Sequence, residues 1–211
     1  MLFNSVAFAL FFPAALAVYW LLRTPRRQNA FLVVASLVFY GWWDWRFVSL
    51  ILVSTLTDYV CALGIERGRA RGGRGRPWLV ASLVVNLGML GVFKYFDFFV
   101  ESAEELWLLL GFRPDLLGVV LPIGISFYTF QTLSYTIDVH RGRVRAERDP
   151  LDFALFDSFF PQLMAGPIER AGHLLPQLKR ARTVDAGDWG LGGWLVFWGL
   201  FKKVFIADNL A

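Results

Sequence analysis

The chain has 211 residues, of which 56% are hydrophobic, 17% aromatic and 18% charged, and its formal net charge is +4. Length alone would suit one or two soluble domains, but the charges are bunched between long apolar runs, which is typical of membrane proteins with several spans. The basic residues form short loop clusters and no continuous groove, which argues against nucleic-acid binding. The single cysteine, Cys61, excludes a disulfide within the chain.

Seven apolar segments follow one another along the chain and predict an all-α, polytopic transmembrane protein. We expect about five spans plus one re-entrant or interfacial segment, 151–168, because Pro161, Gly166 and Pro167 interrupt it and irregular backbone at membrane depth needs cover from protein or water. Segment 30–43 is too short to cross a bilayer unaided. The segments are 5–22, 30–43, 47–65, 78–100, 116–139, 151–168 and 189–210.

Loop charges predict which side of the membrane each loop faces. Basic loops follow the first, third and fifth segments, whereas acidic residues follow the fourth, at 101–105. Lysine and arginine concentrate in cytoplasmic loops of membrane proteins. The loops at 67–76 and 141–150 are therefore predicted to be cytoplasmic, and the amino terminus and 101–105 to be external.

A stripe of polar residues marks the apolar stretch LPIGISFYTFQTLSYTIDVHRG. Gly124, Tyr128, Gln131, Tyr135 and Asp138 recur at steps of four, three, four and three residues, which places them on one face of a helix. An ionisable group or a glutamine within a span costs roughly 2.5–3.5 kcal/mol or more on insertion scales, so it should face protein or a wet cavity. The stripe either bonds helices together or lines a buried polar pathway.

Few other residues offer chemistry. Asp58, in the middle of the third segment, is either bonded to neighbouring threonine or tyrosine groups or is a carboxylate that handles protons or substrate. His140 and His173 lie where water reaches them, and neither has a serine or cysteine nucleophile at a motif spacing. The sequence has no metal-ligand cluster and predicts no metal site.

Three stretches together resemble the membrane-bound O-acyltransferase (MBOAT) family. They are LPIGISFYTFQTLSYTIDVHRG, FFPQLMAGPIER and GLFKKVFIADNLA. They resemble most the branch with the alginate O-acetyltransferase membrane subunit and the D-alanyl transfer protein of teichoic acids, which the Asp58-Tyr59 pair also matches. The resemblance covers essentially 1–211 and implies the amino-terminal transmembrane part of a single MBOAT domain. Because the chain stops at 211 with no closing loop after the apolar segment 189–210, we expect it to be truncated at its carboxyl terminus.

The resemblance implies an enzyme of the bacterial inner membrane that moves an acyl group, expected to be acetyl, to an extracellular polysaccharide such as alginate. The implied partners are the lipid bilayer, a cytoplasmic donor (acetyl-CoA or an acyl carrier) and a periplasmic acetyltransferase, with no bound cofactor. The family's catalytic histidine lies in the later half, so no residue here inherits that role and the chain alone is expected to be inactive. His140 stands where the family usually has tyrosine.

The residues predicted to line a substrate route share a buried polar character or a position on the donor side. The route candidates are Asp58, Tyr128, Gln131, Tyr135, Asp138 and Arg170.

A transporter for a polysaccharide precursor, and a non-catalytic scaffold for a periplasmic acetyltransferase, remain alternatives to the enzyme.

The predicted topology can be tested by cysteine labelling in sealed cells. In a Cys61→Ala background, an impermeant thiol reagent added outside should label the variant Glu101→Cys. The same reagent should leave the variant Gly72→Cys unlabelled until the cells are opened. Labelling of Gly72→Cys in intact cells would overturn the topology.

Overall fold

The chain folds into helices, as the sequence predicted. In a computed structural model the described residues are 1–103, 111, 121–163, 166 and 169–210, and no strand occurs among them. The helices are α1 (Val6–Leu21), α2 (Pro25–Gly41), α3 (Val48–Ala70), α4 (Arg76–Leu90), α5 (Phe96–Ser102), α6 (Ile125–Arg141), α7 (Pro150–Ser158), α8 (Phe160–Leu163), α9 (Ala171–Lys179), α10 (Ala186–Phe201) and α11 (Asp208–Leu210). A 3₁₀ turn covers Trp45–Phe47, and π-helical turns cover Gly91–Tyr95 and Lys202–Ala207.

Among the described residues, three helical stretches are long and apolar enough to cross a bilayer. They are 45–70, 76–102 and 186–210, with 26, 27 and 25 residues. At 1.5 Å per residue the shortest measures about 37 Å, which exceeds the roughly 30 Å of bilayer hydrocarbon. α1 is a shorter apolar helix of 16 residues. These lengths confirm the expectation of an all-α membrane protein.

α2 begins earlier than the predicted segment 30–43, because it covers 17 residues from Pro25. Proline suits the first position of a helix, where its missing N–H would have no partner in any case. The helix is still only about 26 Å long. Near the end of α2 the side chains of Ser36, Phe39 and Tyr40 are buried in protein. This burial agrees with a short helix that packs on its neighbours.

The described residues form two compact units. One combines 1–28 with 179–211, and the other is 29–178. In the first unit the rings of Trp20 and Trp189 lie 6.4 Å apart. Apolar side chains of α10 are exposed, as expected of a surface that faces lipid.

In the second unit α3, α4 and α6 pack against one another. Gly64 of α3 lies against the indole of Trp78 in α4, where a Cβ atom would overlap the ring. Ala62 and Ile65 continue this buried face toward Tyr135 of α6. A small residue at 64 therefore sets how closely α3 and α4 approach.

The loop predicted at 67–76 is shorter than expected, because α3 continues to Ala70 and α4 begins at Arg76. Arginine side chains in the last turn of a helix interact favourably with its dipole. Arg69 also donates to the carbonyl of Val139 in α6 at 3.1 Å, and its guanidinium fills the space beside Gly142. The turn itself covers 71–75.

Gly124, predicted as the first member of the polar stripe, precedes α6 instead of lying in it. Its φ of +80° is in the left-handed region, which glycine adopts without strain. Of the predicted segment 116–139, residues 116–120 lie outside the described part of the chain. The same holds for 104–105 of the predicted external loop.

Residues 150–179, which we call the hairpin, turn back so that the two ends meet. The meeting point is Asn29 of α2, whose amide donates to the carboxylate of Asp152 at 2.8 Å and to the carbonyl of Leu178 at 2.9 Å. Asn29 is 2% exposed, so this junction is inside the protein.

The turn between α7 and α8, the tip of the hairpin, lies against α2. The N–H of Phe160 donates to the hydroxyl of Ser36 at 3.1 Å, and the ring of Phe160 packs on Phe39 at 5.4 Å. That segment 151–168 is re-entrant or interfacial stays a prediction. Residues 164–165 and 167–168 of that segment lie outside the described part.

Candidate functional site

Asp58 lies in the middle of α3 and has no exposed surface. Its carboxylate accepts hydrogen bonds from the hydroxyl of Ser82 at 2.5 Å and from the amide of Asn86 at 2.9 and 3.0 Å. Ser54 donates to the amide oxygen of Asn86 at 2.6 Å, and the Ser82 hydroxyl lies 3.2 Å from that of Thr136. These five side chains, which we call the Asp58 network, join α3, α4 and α6.

The partners of Asp58 agree in part with those expected from the sequence. Threonine or tyrosine neighbours were predicted, and the hydroxyl of Thr132 on α6 does lie beside the carboxylate, but Ser82 and Asn86, both on α4, also donate to it. Ser82 and Asn86 lie 24 and 28 residues from Asp58 along the chain. No local sequence pattern indicates a pairing over that distance. Because these donors enclose the carboxylate, it could touch a substrate only if the three helices separated.

Two members of the α6 stripe bond that helix to the hairpin and the loop before it. The amide of Gln131 donates to the carbonyl of Phe156 at 2.8 Å, and the hydroxyl of Tyr135 accepts from the N–H of Glu147 at 2.8 Å. Both stripe residues are buried. The helix-bonding interpretation therefore describes these two side chains, and a role in a substrate route stays a prediction.

The tip of the hairpin carries a buried carboxyl group that the sequence analysis did not single out. Asp157 is 1% exposed, and one of its oxygens accepts a short hydrogen bond from Thr55 of α3. Tyr128, another stripe residue, packs in one buried cluster with Tyr40 of α2. The partner of Asp157 is 102 residues away, so periodicity within one segment could not reveal the pair.

The remaining candidates lie at the other end of α6 and beside α9. Asp138 is 3.4 Å from the guanidinium of Arg143, in a pair whose arginine is more than half exposed. Arg170 is exposed just before α9, where its carbonyl accepts from the N–H of His173 at 2.9 Å. Neither Asp138 nor Arg170 belongs to the Asp58 network.

The two histidines lie outside the Asp58 network. His173 is exposed and lies 3.2 Å from the carboxylate of Glu169, beside an open groove of about 250 Å³. His140 is half-buried in the last turn of α6. Within the described residues no three histidine, cysteine or acidic side chains come together as a metal site.

The fold and the site together define a helical membrane protein with a hairpin held by buried polar contacts. Over its whole length the chain is 42% identical to the probable alginate O-acetylase AlgI of Pseudomonas aeruginosa and 41% identical to that of Azotobacter vinelandii, covering 41% and 42% of those proteins. It is also 34% identical to the peptidoglycan O-acetyltransferase of Helicobacter pylori, of which it covers 45%.

These relatives confirm the predicted resemblance to the membrane-bound O-acyltransferase family. The chain spans about two fifths of the length of the curated relatives it matches. No family model matches the chain, and no solved structure is similar to it.

The Asp58 network predicts a difference between two substitutions at one site. Asp58→Leu leaves Ser82 and Asn86 without their acceptor, and buried polar groups without partners cost about 1–3 kcal/mol. Asp58→Asn keeps an acceptor oxygen and the side-chain shape. We expect Asp58→Leu to lower the melting temperature in detergent clearly more than Asp58→Asn does. Equal melting temperatures for the two variants would show that the network contributes little to holding the helices.

Proposed function

We propose that this chain is the amino-terminal transmembrane part of a membrane O-acyltransferase, which transfers acetyl groups for the O-acetylation of an extracellular polysaccharide such as alginate. The observation that carries the proposal is similarity along the whole chain to proteins named as O-acetylases of alginate and peptidoglycan. The protein would act in the inner membrane of a bacterium, with a periplasmic or extracellular acetyltransferase as partner.

The acyl donor would approach from the cytoplasmic side. Acetyl-CoA and acyl carriers are both anionic, and arginines follow α3, α6 and the hairpin on the side predicted to be cytoplasmic. The exposed Arg170 stands at the start of α9 within the hairpin. Its guanidinium is available for a charge-assisted hydrogen bond to a phosphate.

The hairpin would provide a route from this side into the membrane. Acyl transfer needs a water-poor environment in which the activated acyl group is not hydrolysed. A re-entrant segment that reaches the middle of α3 supplies polar backbone and side chains at that depth without a continuous water-filled channel. Tyr128, Gln131, Tyr135 and Asp138 on α6, with Asp58 on α3, would order the walls of the route.

The general base for acyl transfer would lie in the part of the longer relatives that this chain does not span. The exposed His173 and the half-buried His140 are poor candidates, since neither lies in the buried polar core of the described residues. We therefore expect the chain by itself to transfer no acyl group. No cofactor beyond the acyl donor is proposed.

The proposed function is tested by deleting the gene and measuring two properties of the exported polysaccharide, its amount and its ester-linked acetate. The deletion should remove the acetate and leave the amount of polymer unchanged. Re-expression with Gln131→Leu should restore little acetate, because a misplacement of about 1 Å in a substrate route lowers rates on the order of a hundredfold. Gln177→Leu, at an exposed glutamine of α9, is the matched control and should restore acetylation.

Each other function has its own outcome in this experiment. A transporter would lose polymer export in the deletion strain, with normal acetylation of whatever polymer appears. A non-catalytic scaffold would lose acetylation in cells, yet purified whole protein would transfer no labelled acetyl group from the donor to any acceptor. Unchanged acetate together with an unchanged amount of exported polymer in the deletion strain would contradict all three.

A further inference from the structure

Asp157, in the last turn of α7, is a buried carboxyl group without a positive partner. The residue is 1% exposed, and within the described residues no lysine, arginine or histidine forms an ion pair with it. An isolated charge is costly to bury, so a group in such a place usually neutralises itself by taking up or releasing a proton. For a carboxyl group this means binding a proton.

The neighbouring helices supply no cation near the hairpin tip. α3 and α6 pack against α7, and their arginines lie in the last turn of each helix. α2 bonds the tip through Ser36 and carries its arginines in its first turn. Away from these basic ends, the ionisable groups of the three helices are acids, phenols and a thiol, none of which becomes positive. They are Tyr40, Asp58, Tyr59, Cys61, Tyr128 and Tyr135.

The hydrogen bonds of the carboxyl group give a second reason. Within the described residues Thr55 of α3 is the side chain that bonds it, at Oδ2, whereas Oδ1 has no partner. The hydroxyl of Thr55 also lies 2.8 Å from the carbonyl of Ile51. A carbonyl and an ionised carboxylate can only accept, and a hydroxyl has a single proton. If Asp157 were ionised, one of these two contacts would hold no hydrogen.

A protonated Asp157 supplies the missing hydrogen. Its O–H donates to the oxygen of Thr55, and Thr55 donates to the carbonyl of Ile51, four residues earlier, as threonine does within helices. The bond between Asp157 and Thr55 thus runs from the carboxyl group to the hydroxyl. Oδ1 becomes the carbonyl oxygen of a neutral acid, for which the lack of a partner costs less than it does for a charged oxygen.

Two other aspartates have partners of a different kind. The side-chain amide of Asn86 donates to both oxygens of Asp58, and that of Asn29 donates to Asp152. An amide NH₂ group brings its own protons and cannot accept, so these contacts suit an ionised carboxylate. Asp157 differs from both because its partner has no proton to spare.

We propose that Asp157 is a neutral carboxylic acid in the folded protein, and that its proton makes the bond between the hairpin tip and α3. Loss of this proton would leave two oxygen atoms in contact without a hydrogen between them, and would weaken the bond. The bonds that the tip makes with Gln131 and Ser36 involve no ionisable group and do not depend on this proton. The proposal does not rest on the chemistry assigned to the protein.

Infrared spectroscopy detects such a proton directly, because the carbonyl stretch of a protonated carboxyl group is separate from the stretches of a carboxylate. In the whole protein, in lipid and at neutral pH, Asp157→Asn should remove a protonated-carboxyl band that the wild type shows. Asp152→Asn, on the same helix, is the matched control and should leave that band in place. Loss of carboxylate absorption alone in Asp157→Asn would overturn the proposal.

A second variant keeps Asp157 itself, so the test stands even where Asp157→Asn does not fold. Thr55→Val has nearly the shape of threonine but cannot accept a hydrogen bond. The protonated-carboxyl band of the wild type should persist in this variant and move in frequency, since the acid loses the oxygen to which it donates. An unmoved band would contradict the bond to Thr55. A band that appears in Thr55→Val and is missing from the wild type would show that the wild-type group is ionised.

Discussion

Within a bilayer, a polar group must find its hydrogen-bond partner inside the protein, because hydrocarbon offers none. This constraint organises the second unit of the chain, 29–178. Asp58 is enclosed by donors from α4, the hairpin tip is bonded by Thr55, Gln131 and Ser36, and Asn29 joins the two ends of the hairpin. These contacts come from α2, α3 and α6, so the position of the hairpin depends on all three helices at once.

The polar residues fall into two groups, according to whether their contacts join the helices or the hairpin tip. Both carboxylate oxygens of Asp58 accept hydrogen bonds from the neighbouring helix α4, so changes there should be felt first as a loss of helix packing. Gln131 and Asp157 act on the hairpin tip, where a small displacement moves backbone that would border a substrate route. The proposed acyl transfer therefore depends on the tip more directly than on the network around Asp58.

The sequence predicted the helices and the buried face of α6, because a period of 3.6 residues is visible in one segment. Tyr128 and Gln131 are buried as that period indicates. Gly124 does not follow the pattern, because it has a left-handed φ and lies just before the first residue of the helix. The partners across helices could not be predicted. Asp157 stands among phenylalanines in a short segment and binds Thr55, 102 residues away, and Ser82 resembles any other serine of an apolar helix.

The central claim is that the hairpin tip reaches the middle of α3. It is tested most directly by cross-linking Thr55→Cys to Asp157→Cys with a short bifunctional thiol reagent, in the whole protein, in native membranes and without Cys61. The structure predicts efficient cross-linking of this pair and none between Thr55→Cys and Asp152→Cys, since Asp152 binds Asn29 at the other end of the hairpin. Cross-linking of the second pair, or failure of the first while Asp157→Cys reacts freely with water-soluble reagents, would contradict the account.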